Sequence, residues 1–195
     1  MVIRQCVMAY GIEQDRVRAM IPDGYESLRP VLRINAEIMD EKAVYVELNA
    51  PVAHDGKRGW LNIANWHSDR DDLQFRQDGK TVRVSSPFLT IVFTGTGIEG
   101  GCPAERDNDG CFFIGENGAI FRPSERIGVN KEFCDCEFAW HFHSGDAYGR
   151  SEGKTIPAFH EETKTEYPRC VMSAENAAAI PCRQVLGAYG VKFER

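Results

Sequence analysis

No stretch of this sequence approaches the roughly 18 consecutive apolar residues that a membrane-spanning helix needs. The opening residues 1–10 lack the long apolar core and small-residue cleavage site of an export signal, so a cytoplasmic, membrane-free protein is expected. A basic surplus is missing too: Lys and Arg number 23 against 29 Asp and Glu, a net charge of −6. That balance argues against a nucleic-acid partner, whose phosphates call for a cationic face. There is no Cys-x-x-Cys pair, which removes the usual signature of a zinc ribbon or a thioredoxin-like site. The Gly-x-Ser-x-Gly elbow, the phosphate-binding Gly-x-x-x-x-Gly-Lys loop and the His-Glu-x-x-His zinc helix are all absent. Linkers, low-complexity runs and internal repeats are absent as well.

What is present is an ordinary globular composition, with 43% hydrophobic and 27% charged residues in 195, which suits one domain over residues 1–195. The seven cysteines are an odd number, and without an export signal they read as reduced, buried thiols with no metal role. Residues 13–21 predict a short helix: Val17, Met20 and Ile21 recur at helical spacing, Glu13 and Asp15 suit its N-terminal end, and Pro22-Asp23-Gly24 stops it. A second helix is expected over 173–179, capped by Ser173 and stopped before Pro181.

Most of the remainder alternates with period two. Leu32, Ile34, Ala36 and Ile38 oppose Arg33, Asn35 and Glu37, and Val44, Val46 and Leu48 oppose Tyr45, Glu47 and Asn49. Over residues 133–143 the apolar set Cys134, Cys136, Phe138, Trp140 and Phe142 opposes Asp135, Glu137, His141 and His143. Residues 185–193 alternate as well, and 87–94 are apolar on both faces, as in a central strand. Asp55-Gly56, Asp78-Gly79, Asp109-Gly110 and Asn117-Gly118 are turn signals. The fold class expected is therefore mainly β (α+β): an antiparallel closed barrel or sandwich with two short helices. The glycine-rich run 95–101 has no helical pattern after it, so it reads as a loop or barrel corner, not a dinucleotide site.

His141 and His143 share a strand face with Glu137 and Asp135, because residues two apart point the same way. Two imidazoles beside carboxylates fit three situations: a solvated strand face, the wall of a pocket, or a metal site. Cys134 and Cys136 point to the other face, which counts against a Cys2His2 centre. Tyr10, Trp60, Trp66 and Trp140 read as packing groups, and residues 69–72 as a solvated turn.

Two ends of the chain are more specific. The run Tyr10-Gly-Ile-Glu-Gln-Asp-Arg-Val-Arg-Ala-Met-Ile-Pro-Asp-Gly-Tyr25, followed by Pro30-Val-Leu-Arg-Ile-Asn-Ala-Glu-Ile38, resembles the opening of the acetoacetate decarboxylase superfamily. Ile180-Pro-Cys-Arg-Gln-Val-Leu-Gly-Ala-Tyr189 is similar to its closing Leu-Pro-x-x-Glu-Val segment. The resemblance implies a closed β fold around a buried pocket, assembled as a homo-oligomer. In that family a lysine whose pKa is lowered by an adjacent lysine forms a Schiff base. Here the seven lysines Lys42, Lys57, Lys80, Lys131, Lys154, Lys164 and Lys192 include no adjacent pair. The segment around Glu47 is similar to the family strand that bears an active-site glutamate. At a second acidic position of the family stands Asn35. The resemblance thus implies the fold without the Schiff-base reaction. The expectation is a small-molecule binding protein that takes a carboxylate, keto acid or sugar-like ligand, with no cofactor. Its ligand-binding residues would be Arg33, Asn35, Glu47, His141 and His143. The alternative is an enzyme of changed chemistry, a lyase, hydratase or hydrolase, using Glu47 and His141 as acid and base.

Overall fold

The computed structural model describes residues 1–12, 14–87, 89–100, 109–115, 117–124, 129–140, 150–151, 154–155, 170–171 and 185–195. The period-two segments form strands: β1 (Val2–Gly11), β2 (Glu26–Ser27), β3 (Val31–Met39), β4 (Ala43–His54) and β5 (Lys57–His67) come first. They are followed by β6 (Gln74–Asp78), β7 (Thr81–Ser85), β8 (Leu89–Glu99), β9 (Gly110–Gly115), β10 (Gly118–Pro123) and β11 (Glu132–Trp140). The short β12 (Arg150–Ser151), β13 (Lys154–Thr155) and β14 (Cys170–Val171) precede the long terminal β15 (Val185–Glu194). The helix expected near the N-terminus is α1 (Gln14–Met20). The helix expected over 173–179, and His141 and His143, lie outside the described residues. No helix among the described residues is long and apolar enough to cross a membrane.

One sheet dominates, in the order β10-β9-β5-β4-β3-β1-β15-β11-β8-β7-β6. Two features depart from the antiparallel closed barrel expected from the sequence. First, β5 and β9 run parallel, pairing Trp60 with Cys111 and Leu61 with Phe112, so the sheet is mixed. Second, the sheet is open among the described residues, with β10 and β6 at its ends. Both end strands are short and largely exposed, and they carry Arg76, Asp78, Arg122 and Pro123. Charge and proline on short edge strands oppose further strand pairing.

The glycine run is a further correction. Instead of forming a loop, β8 continues through Gly95 and Gly97 to Glu99. The reason is Glu132 at the start of β11. Its carboxylate accepts the Gly97 N–H at 2.5 Å and lies where a Cβ on Gly95 would stand, 2.8 Å from Oε1. The Gly97 backbone bond first, and then the Lys80 ammonium, hold the Glu132 carboxyl below its usual range against a smaller opposing effect of burial.

The apolar sides of the central strands build the main core. Leu32, Ile34, Ala36 and Ile38 of β3 join Val44, Val46 and Leu48 of β4, Met8 of β1 and Phe93 of β8. Val17 of α1 is packed into the same cluster. Burying each such side chain contributes about 1.5–3 kcal/mol. Cys6, Cys134 and Cys136 are buried there, and burial pushes the Cys6 and Cys134 thiols up to about 12. Those three thiols are therefore packing groups, as the sequence suggested. The opposite side of the sheet carries a second cluster that includes Val7, Val31, Trp60, Tyr189 and Val191. Beside it lies a stripe of polar residues.

Candidate functional site

Strand register decides which polar side chains meet on that second face. In the β3–β4 pair Arg33 lies opposite Asn49, Asn35 opposite Glu47 and Glu37 opposite Tyr45. In the β4–β5 pair Glu47 lies opposite Asn65 and Asn49 opposite Asn62. Asn62 and Asn65 are three apart, and a regular strand would send them to opposite faces. The register shifts between Leu48 and Asn49, leaving Ile63 as an extra residue in β5. That bulge returns both asparagines to the polar face.

Six polar side chains are buried there: Arg33, Asn35, Glu47, Asn49, Asn62 and Asn65. Glu47 is at their centre and only 6% exposed. Its Oε1 accepts the Tyr45 hydroxyl at 2.7 Å, and its Oε2 accepts the amides of Asn35 and Asn49, each at 3.4 Å. All three contacts are donated to it.

Two arginines stand one amide or more away from this charge. Arg33 donates through Nε and Nη2 to Asn49 Oδ1, at 3.2 and 3.0 Å, and Asn49 passes its own amide N–H to Glu47. From the other side Arg70 donates to Asn65 Oδ1 at 3.0 Å, and Asn65 donates to Asn62 Oδ1 at 3.0 Å. Asn62 reaches the Tyr45 hydroxyl at 3.5 Å, and Tyr45 donates to Glu47. Each amide accepts from the cation side and donates toward the carboxylate, so the dipoles align along both routes. A buried carboxylate without a partner costs several kcal/mol, and donated hydrogen bonds offset that cost. The Arg33 guanidinium also lies 4.5 Å over the Trp60 ring, and its Nη2 reaches Cys111 Sγ at 3.6 Å.

The titrating neighbours are shifted by the same surroundings. Burial, and then the negative charge of Glu47, push the Tyr45 phenol far up, so it remains a protonated donor. The His67 ring lies 4.4 Å from the Tyr45 ring, and burial followed by the Arg70 charge lowers its pKa. One polar atom is left over: Asn35 Oδ1 is buried and has no hydrogen-bond partner. An unmet buried acceptor costs about 1–3 kcal/mol.

Of the five expected ligand residues, Arg33, Asn35 and Glu47 come together, and His141 and His143 lie outside the described residues. Sequence reasoning missed Asn62, Asn65 and Arg70, and placed Tyr45 and Asn49 only on the same face as Glu47. A signal for the first two exists in Leu61-Asn62-Ile63-Ala64-Asn65-Trp66, where alternation breaks at adjacent Ile63 and Ala64. No group of three or more His, Cys, Asp or Glu among the described residues is arranged to hold a metal ion.

Acetoacetate decarboxylase matches this architecture over 97% of this chain and 82% of that one, with a TM-score of 0.50 and 11% identity. The acetoacetate decarboxylase of Legionella pneumophila subsp. pneumophila str. Philadelphia 1 matches over 98% and 81%, with a TM-score of 0.51 and 12% identity. The chain has the acetoacetate decarboxylase fold. No protein-family model matches the sequence, and no curated protein sequence matches it. At such identity the likeness to acetoacetate decarboxylase concerns the fold alone, and chemistry has to be argued from side chains.

The lysines are the first to compare with the Schiff-base route. Lys42, Lys57, Lys80 and Lys192 are exposed, and Lys131 is half-buried with its ammonium 4.4 Å over the Tyr189 ring. Lys80 pairs with the Glu132 carboxylate at 3.2 Å, so its charged neighbour is an anion. The acetoacetate decarboxylase fold here offers a carboxylate that accepts from two amides and a phenol on a buried face, and the side chains of Lys154 and Lys164 lie outside the described ones.

Proposed function

We propose that this chain binds a small polar molecule, a carboxylate, keto acid or sugar-like compound, at the face built by Arg33, Asn35 and Glu47, and does so without Schiff-base decarboxylation. The observation that carries this reading is the convergence of six buried polar side chains on one sheet face, with Glu47 at the centre. Buried polar groups reduce stability unless they are satisfied, and a binding site is the common reason for gathering them. His141 and His143 are proposed as further wall residues, from strand alternation alone.

The second reading is an enzyme of changed chemistry with Glu47 as general base. It draws on the 2.7 Å bond between Tyr45 and Glu47, a pair able to pass a proton. Binding is favoured over it because the other donors to Glu47 are amides, which do not exchange protons in catalysis. The upward-shifted Tyr45 phenol is also a poor acid near neutral pH.

Native mass spectrometry of the purified protein tests the proposal. A non-covalent small molecule should be retained by the wild type and lost, or weakened at least tenfold, in Glu47→Gln. The variant should fold with some loss of thermal stability, because the amide oxygen can still accept from Tyr45 while its NH2 group replaces the acceptor of Asn35 and Asn49. Equal retention by both proteins would remove Glu47 from the site.

A further inference from the structure

Resting on the reading that the Glu47 face binds a small molecule, we propose that its ligand is a hydroxyl donor, a neutral sugar or polyol, and not a carboxylate or keto acid. The inference comes from the direction of each hydrogen bond. Asn35 stands opposite Glu47 across β3 and β4, with 3.4 Å between its amide and Oε2. A carboxylate has no hydrogen to give, so the nitrogen of Asn35 must face Glu47 and its oxygen must face away.

That oxygen is where the network stops. The carbonyl of Asn49 is fed by Arg33, that of Asn62 by Asn65, and that of Asn65 by Arg70. Asn35 Oδ1 alone among these four amide oxygens is buried with no partner. Asn35 itself is only 6% exposed, so its unmet oxygen belongs to the buried face. What the site lacks is therefore a hydrogen to accept.

A ligand carboxylate brings no hydrogen. Placed there, it would set its lone pairs against those of Asn35 Oδ1 and its charge against that of Glu47. A keto acid has the same defect at its carbonyl and its carboxylate. A hydroxyl satisfies Asn35 Oδ1 directly. Glu47 has about four acceptor sites, of which three are filled, so a neighbouring hydroxyl can donate to the fourth. A vicinal diol presents two such donors side by side, which is the chemistry of sugars and cyclitols. Trp60, under the Arg33 guanidinium, marks the apolar end of the same face.

The test is calorimetric titration of the full chain with D-glucose and myo-inositol, and in parallel with pyruvate and acetoacetate. The expected result is heat from at least one polyol and none from the two acids. In Asn35→Leu, which keeps the branched outline and removes the acceptor together with the amide donor to Glu47, polyol affinity should fall at least tenfold. If the acids bind and the polyols do not, the hydroxyl-donor inference is overturned while the binding reading stands. Polyol binding that is unchanged in Asn35→Leu overturns it too. If neither class binds and native mass spectrometry finds no retained molecule, both readings fail together. Should Asn35→Leu not fold, the wild-type panel of polyols against acids decides the matter by itself.

Discussion

Asn35 shows what one amide does for a buried carboxylate. With Asp at this position two carboxylates would face each other across β3 and β4, and at least one would have to take up a proton. The amide removes that repulsion and adds a donor to Glu47. The expected consequence of Asn35→Asp is a loss of about 1–3 kcal/mol near pH 8, corresponding to a pKa displacement of about one or two units. The sign with pH follows from proton uptake. In the folded variant the carboxylate pair titrates above its unfolded value, so the variant binds more protons folded than unfolded. Its deficit against the wild type should shrink as pH falls through the carboxylate range and grow as pH rises. Urea unfolding of both proteins between pH 4.5 and pH 8 measures this, and a pH-independent difference would show that the two side chains do not share a site. Arg33, Asn35 and Glu47 were legible in the sequence because two adjacent strands keep strict alternation. Arg70 was not, because it lies in a turn after β5 and reaches the face only through Asn65.

Among the elements, β5 was the least legible. Its extra residue at Ile63 breaks the period, so a reading by alternation cannot assign Asn62 and Asn65 to one face. The hairpins were easier. Asp55-Gly56 joins β4 to β5 with positive φ at both residues, the geometry that two-residue hairpin turns require. The parallel pairing of β5 with β9 left no such mark, since the partners are far apart in sequence and no short turn links them. Its trace is Gly59 instead: a Cβ there would collide with the Gly110 carbonyl and stand 3.4 Å from the Phe112 ring. The β5 and β9 backbones can approach only because Gly59 has no side chain. Gly59→Ala should therefore destabilise the protein by about 1–3 kcal/mol, the usual cost of overpacking. Guanidinium unfolding measures it, and an unchanged midpoint would mean that β9 is not held against β5. The same pair supports the site, because Cys111 on β9 touches Arg33. The variant should thus also weaken whatever binds beside Glu47.

At the scale of the whole molecule, the fold is that of acetoacetate decarboxylase, and the reaction has to be argued from side chains. The two sequence ends that resemble acetoacetate decarboxylases anticipated the architecture, and the sheet order then brought β1, β3, β4 and β15 side by side. What the ends could not convey is whether a nucleophilic lysine is present, because that depends on surroundings contributed by several strands. A Schiff-base lysine has to reach the neutral amine near neutral pH, through burial away from water or through a second cation nearby. Lys42, Lys57, Lys80 and Lys192 are exposed, which removes burial as a cause. Lys80 faces the Glu132 carboxylate and Lys131 lies over the Tyr189 ring, while the side chains of Lys154 and Lys164 lie outside the described ones. No two of the seven lysines are adjacent in the sequence, so the paired arrangement is missing along the whole chain. Borohydride reduction in the presence of acetoacetate should then trap no stoichiometric adduct, and the intact mass should stay that of the unmodified chain. An adduct at one lysine per chain would reverse this conclusion, and peptide mapping would identify the lysine concerned. The same incubation run without borohydride should leave the acetoacetate concentration at the level of a protein-free control. Slow loss of acetoacetate with no trapped lysine would point instead to base chemistry, and Glu47→Gln would abolish it only if that carboxylate were the base.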